Sequence, residues 1–301
     1  MSSIAEWSRR HRLVAFFGLT FLLSWWSWPL HALDLAPTAF FPCGPLVAAL
    51  VVIGVTEGRA GYRDLGARMV RWRVGWTWWL VAVGTPLAVL AAAAAANVAI
   101  WDAPAPVPAT MAWSQIALGS AIRFVNPLDG PLGEEPGWRG YATPQLQVRR
   151  TPLRAGLVLA PLVALWHLPL VATGQLAPVG LPVTFAITLV YVWLFDRTSG
   201  SVLMTTVFHV AEGSVSYGAL GFTGVDAARM PWLVGVLWFA IALGVFVLDR
   251  PVRRVAPPAA VAARHLATAA RRGTGGGARR DRRASRLSAP TSRRPSSATH
   301  P

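Results

Sequence analysis

Long apolar runs, broken by short connections whose basic residues are all arginine, set the limits on what this chain can fold into. Eight such segments are legible, at about 12–31, 39–56, 75–100, 113–133, 154–173, 181–196, 200–219 and 230–249. A helix needs about 20 residues to cross ~30 Å of hydrocarbon. Most of these segments approach that length; the sixth is short. The fourth is interrupted by Asn126-Pro127, Asp129-Gly130 and Pro131, which is tolerated where neighbouring protein satisfies the freed backbone groups. Only 14% of residues are charged, against roughly 25% in soluble domains. The expected fold class is all-α: a polytopic transmembrane helical bundle of about eight spans, placed as a multi-pass protein in the cell membrane.

Arginine sets the orientation, because basic residues collect in cytoplasmic connections. They cluster at Arg9, Arg10 and Arg12, at 59–73, at 139–154, at Arg197, and at Arg250, Arg253 and Arg254. With eight crossings all of these fall on one side. The opposite connections hold Asp34, Asp102, no charge near 172–181, and then Asp226 with Arg229. Both termini are therefore expected in the cytoplasm. From 256 the chain is Ala, Pro, Gly, Ser and Arg. That composition cannot build a core. Residues 1–255 then form the membrane domain, and 256–301 a disordered basic cytoplasmic tail.

The net charge of +15 lies in that tail and in short connections, which points to membrane lipid as the partner and to no specific nucleic acid. The single cysteine, Cys43, excludes an intrachain disulfide and a cysteine-based zinc cage.

Ionised groups at membrane depth are costly, rare and usually functional. The run Gly133-Glu134-Glu135-Pro136-Gly137-Trp138-Arg139-Gly140-Tyr141 holds two carboxylates and a cation. Adjacent helical residues diverge, so Glu134 and Glu135 point apart. Glu135 and Arg139 are four apart and can pair, leaving Glu134 free to face a cavity as a general base on water. His167 lies in Leu-Trp-His-Leu-Pro, with Pro169 able to kink the helix beyond it. His209 has Glu212 three residues on, on its own face, as a group that could orient the ring.

Glu134, His167 and His209 supply the residue types for activating and positioning a water. They equally suit Zn²⁺ bound through two nitrogens and a carboxylate oxygen, with a fourth position for water. Metal-dependent and metal-free chemistry both stay open. A helical HExxH, a GxSxG and paired intramembrane aspartates are absent, which disfavours zincin, serine and aspartyl mechanisms.

At these residues the chain resembles the CPBP family of intramembrane proteases, the group containing CAAX prenyl endopeptidases and bacterial Abi-type proteins. Glu134, Glu135 and Arg139 match its Glu-Glu-x-x-x-Arg motif. His167 matches the second motif, with Val163 where Phe is usual. His209 matches the third, with Gly213 where Asn is usual. The resemblance covers roughly 113–218. It implies an eight-helix fold with the site opening toward the cytoplasmic side, Glu134 and His167 acting on water, Glu135 and Arg139 as a supporting pair, and His209 near the oxyanion.

The expected function is an intramembrane endopeptidase acting on a membrane-embedded or lipid-anchored peptide. Gly213 brings no side-chain donor, for which Asn126, Ser214 or Glu212 could compensate. It also motivates the alternative of a catalytically degenerate scaffold or immunity-type protein. An ion-coupled transporter is the third reading, against which no internal repeat of the two halves is seen.

Overall fold

The computed structural model describes residues 2–107 and 112–249, with side chains from Glu6 onward. All regular structure among the described residues is helical. The chain opens with α1 (Ser2–Arg10), α2 (Arg12–Trp25) and α3 (Trp28–His31), followed by α4 (Gly44–Thr56), α5 (Gly58–Met69) and α6 (Trp76–Trp101). Then come α7 (Trp113–Val125), α8 (Pro131–Glu135), a π-helical run (Pro136–Ala142) and α9 (Thr143–Gln147). The remainder is α10 (Pro152–Trp166), α11 (Leu168–Ala172), α12 (Gly180–Arg197), α13 (Val202–Glu212) and α14 (Gly224–Leu248). The tail expected at 256–301, and the boundary before it, lie outside the described residues.

Local chemistry fixes two helix starts. The Thr151 hydroxyl accepts from the Arg154 backbone N–H at 3.1 Å, with Pro152 in the first turn. Ser201 does the same for Met204 at 3.2 Å. Both satisfy amide groups that a helix start leaves open.

Five stretches are long and apolar enough to cross a bilayer: Arg12–His31, Trp76–Trp101, Pro152–Ala172, Gly180–Arg197 and Gly224–Leu248. α4 and α13 are apolar but shorter, at 13 and 11 residues. This is a multi-pass membrane protein. Its interior holds two packed clusters. One gathers Phe16, Trp138, Leu159 and Trp166, and the other Tyr191, Phe208 and Trp238.

The bundle has two chemically distinct ends. At one, Arg12 pairs with Glu57 at 2.9 Å, and Gln145 donates to the same carboxylate oxygen at 3.1 Å. Ser201 donates to the Arg71 carbonyl at 2.6 Å, and Arg197 Nε donates to Asp249 at 2.6 Å. The first and last described helices both reach this end. At the other end, Trp25 Nε1 donates to the Trp166 carbonyl and Asn97 to the Asp226 carbonyl, each at 2.9 Å. Arg229 lies over Trp101 there.

The fourth apolar segment departs from expectation. α7 contributes no buried residue, and Ser120 near its end donates to Ser214, past the end of α13, at 2.9 Å. The run that enters the core is 131–147. It starts beside Pro42 and Cys43, which pack against Gly133, and reaches Glu57 through Gln145. The segment read as 113–133 therefore divides. Its apolar part stays at the end opposite the arginine-rich connections, while the polar motif runs through the interior. Hydropathy cannot see such a passage, because its polar groups are satisfied by protein instead of lipid.

Candidate active site

Glycine lets the motif come close to its neighbours. A Cβ at Gly133 would lie 2.2 Å from the Pro127 carbonyl oxygen, and one at Gly137 would lie 2.4 Å from the Pro45 backbone. No side chain fits at either position, so the start of α4 presses directly on the helix that carries the carboxylates. The run from Pro136 then widens into π-helix, a rare geometry that is frequent at functional sites. Side chains take up its loosened carbonyls: Thr143 donates to Trp138 at 2.8 Å, and Arg68 to Gly140 at 3.4 Å.

The two adjacent carboxylates meet different surroundings. Glu135 is fully buried, and its Oε1 accepts from Arg139 at 3.0 Å and from His209 Nδ1 at 3.0 Å. Arg139, 2% exposed, also lies over the Tyr191 ring, with its guanidinium carbon 4.1 Å from the centroid. That is cation–π range. Carboxylate, guanidinium, imidazole and phenol ring thus form one buried network. Since a carboxylate only accepts, His209 must donate through Nδ1, which leaves Nε2 directed elsewhere.

Glu134 turns away from this network into a cavity of about 380 Å³, which it lines with Arg139, His167, Tyr191, His209 and Glu212. Gly130, with φ +69, makes room between the two reactive groups: a Cβ there would stand 3.3 Å from Glu134 Oε1 and 3.7 Å from His209 Nε2.

His167 sits at a break in its helix. Pro169 cannot continue the ladder and crowds the carbonyl four residues back, so α10 stops at Trp166. The His167 backbone N–H bonds to the Ala164 carbonyl at 3.1 Å. The Val163 carbonyl takes the ring Nδ1 at 2.8 Å. A carbonyl only accepts, so Nδ1 carries the proton and Nε2 is the free acceptor.

Residues 113–214 match the family model described as Rce1-like, type II CAAX prenyl endopeptidase. The matched stretch, about a third of the chain, is similar to that family. No curated protein matches the chain.

All five residues singled out in the sequence fall together in the matched stretch: Glu134, Arg139, His167 and His209 on the cavity, and Glu135 directly behind it. Glu212 lines the cavity but does not orient His209; Glu135 does. Asn126 accepts from the Leu128 backbone in its own turn, and Ser214 donates to the Val210 carbonyl. Neither lines the cavity.

Zinc requires its ligands to converge on one point at about 2 Å. Among the described residues, no three His, Cys, Asp or Glu side chains are grouped to hold a metal ion. Glu134, His167 and His209 share the cavity without forming such a group.

Two participants escaped sequence reading. Tyr191 lies in an apolar segment with nothing local to mark it. Gly130 was visible only as part of an interruption.

Proposed function

We propose that the protein hydrolyses a peptide bond in a membrane-tethered polypeptide by glutamate-activated water, without a metal. The observation that carries this reading is the shared cavity: Glu134, His167 and His209, from three separate segments of the chain, line one space. Glu134 takes a proton from water as the oxygen attacks the scissile carbonyl. His167 Nε2, with Nδ1 committed to Val163, accepts a hydrogen bond from that water and orients it. His209 protonated at Nε2 donates to the oxyanion, and the Glu135 carboxylate behind it compensates the charge. Glu134 then delivers its proton to the amide nitrogen as the C–N bond breaks. Positioned acid–base catalysis of this kind is worth about 10²–10⁴-fold.

The family description supports a lipid-anchored peptide as substrate class. Pore walls of Leu170, Val183, Ile187 and Val234 suit an apolar stretch beside the reacting bond. The test is cleavage of a lipid-tethered peptide by purified protein, with elemental analysis and a chelator in parallel. Cleavage that survives chelation in zinc-free protein supports the reading. Activity that vanishes with the chelator and returns with Zn²⁺ overturns the metal-free mechanism. No cleavage of any tethered peptide leaves the degenerate-scaffold alternative standing.

A further inference from the structure

Water activation leaves one charged group of the cavity unused. Glu212 lines the same space as Glu134 and the two histidines. It stands three residues past His209 on α13, so the two side chains leave the helix on one face. Glu212 is exposed, and among the described residues it takes part in no ion pair. The guanidinium of Arg123 lies against Gly213, the next residue, but pairs with Asp129 at 3.4 Å.

Glu212 is also the excess charge of the site. Arg139 and His209 both lean on the Glu135 carboxylate. With His209 as imidazolium, the form that donates to the oxyanion, Glu134 and Glu135 balance these two cations. His167 is neutral, its Nδ1 proton given to the Val163 carbonyl. The Glu212 carboxylate is left over. Apolar walls at Leu170, Leu176, Val183 and Val234 adjoin it in the cavity, and low polarity strengthens any charge pairing made there. Tyr217, on the same cavity, registers the field: burial first and the Glu212 carboxylate second push its phenol up to about 12. Ionised groups that face the interior of a membrane bundle are costly; they have partners or mark a substrate path.

We propose that the substrate supplies that partner: Glu212 selects polypeptides with a basic side chain, arginine or lysine, close to the scissile bond. This rests on the endopeptidase reading. Glu134 marks the bond that is cut, and Glu212, about one helical turn from His209, receives the cation. A long basic side chain suits both features of the lining, because its methylene stem packs on apolar wall while its charged head reaches the carboxylate. An acidic residue in the same place meets like charge. Repulsion therefore sharpens the choice along with attraction.

The test compares tethered peptides that differ in one residue beside the scissile bond: arginine, glutamine or glutamate, placed in turn on either side. Binding to the full chain in detergent is measured alongside cleavage. On one of the two sides, wild-type protein should favour the arginine over the glutamine peptide by about fivefold in kcat/KM, the upper end for a solvent-exposed ion pair, and should disfavour the glutamate peptide. The difference should sit in KM, since an attraction present before and during the reaction is uniform binding. Glu212→Gln, the same shape without the charge, should bring the three peptides level. Glu212→Arg should reverse their order. Equal kcat/KM for the three peptides in wild-type protein, or an arginine preference that persists in Glu212→Gln, overturns the proposal. If the arginine peptide binds more tightly, Glu212→Gln removes the difference and no peptide is cut, the cation subsite stands and the endopeptidase reading fails.

Discussion

Behind the cavity wall, the buried charges face one another. In front of it, the groups are held in place but left with free positions. Glu135, Arg139 and His209 share one carboxylate oxygen at 3.0 Å contacts, and Tyr191 closes the network. One residue earlier, Glu134 faces open space with two imidazoles whose Nδ1 atoms are already committed. One helical step separates a carboxylate that holds the structure from one free to react. The buried network is not itself strong evidence of stability, since charges taken out of water pay a large desolvation cost. Its visible effect is to fix the orientation of His209.

The largest expected separation comes from exchanging the two carboxylates' fates. Glu134→Gln should lower the cleavage rate by about 10²–10⁴-fold, the range for a lost acid–base group, with the thermal unfolding midpoint unchanged. Glu135→Leu leaves Arg139 buried without its anion, and breaking such a pair costs about 3–5 kcal/mol. Thermal unfolding should show that loss directly. Equal midpoints for the two variants would erase the distinction between wall and cavity.

Gly130→Ala probes the gap between Glu134 and His209. The left-handed backbone there disfavours a side chain, at a cost of order 1–3 kcal/mol, and the new methyl would crowd both reactive atoms. Catalytic rate should fall more than stability. A variant with wild-type turnover would show that the two groups do not need that space. The smallest effect is expected from Tyr191→Leu, which removes a cation–π contact worth about 0.5–2 kcal/mol. It should loosen Arg139 and lower the unfolding midpoint modestly.

The local chemistry of the site was legible because it follows helical spacing. The spacing of four from Glu135 to Arg139 predicted their pairing, and adjacency predicted that Glu134 would diverge. The two histidines stood out against apolar surroundings. Which partner orients His209 was not legible. Glu212 shares its helix, but Glu135 arrives from another one, and no spacing rule reaches across helices. The passage of 131–147 was hidden for a different reason. Apolarity reports contact with lipid, and this run is surrounded by protein, while the more apolar α7 lies alongside with no buried residue. Tyr191 could not be singled out among apolar neighbours until Arg139 was seen over its ring.

The central claim is that Glu134, not its neighbour, activates the attacking water. The most direct measurement is single-turnover cleavage of a tethered peptide by wild-type and Glu134→Gln protein at matched folding. The account predicts that substrate still binds while bond cleavage falls by at least two orders of magnitude, within the general-base range of about 10²–10⁴. Cleavage by Glu134→Gln at the wild-type rate would contradict it.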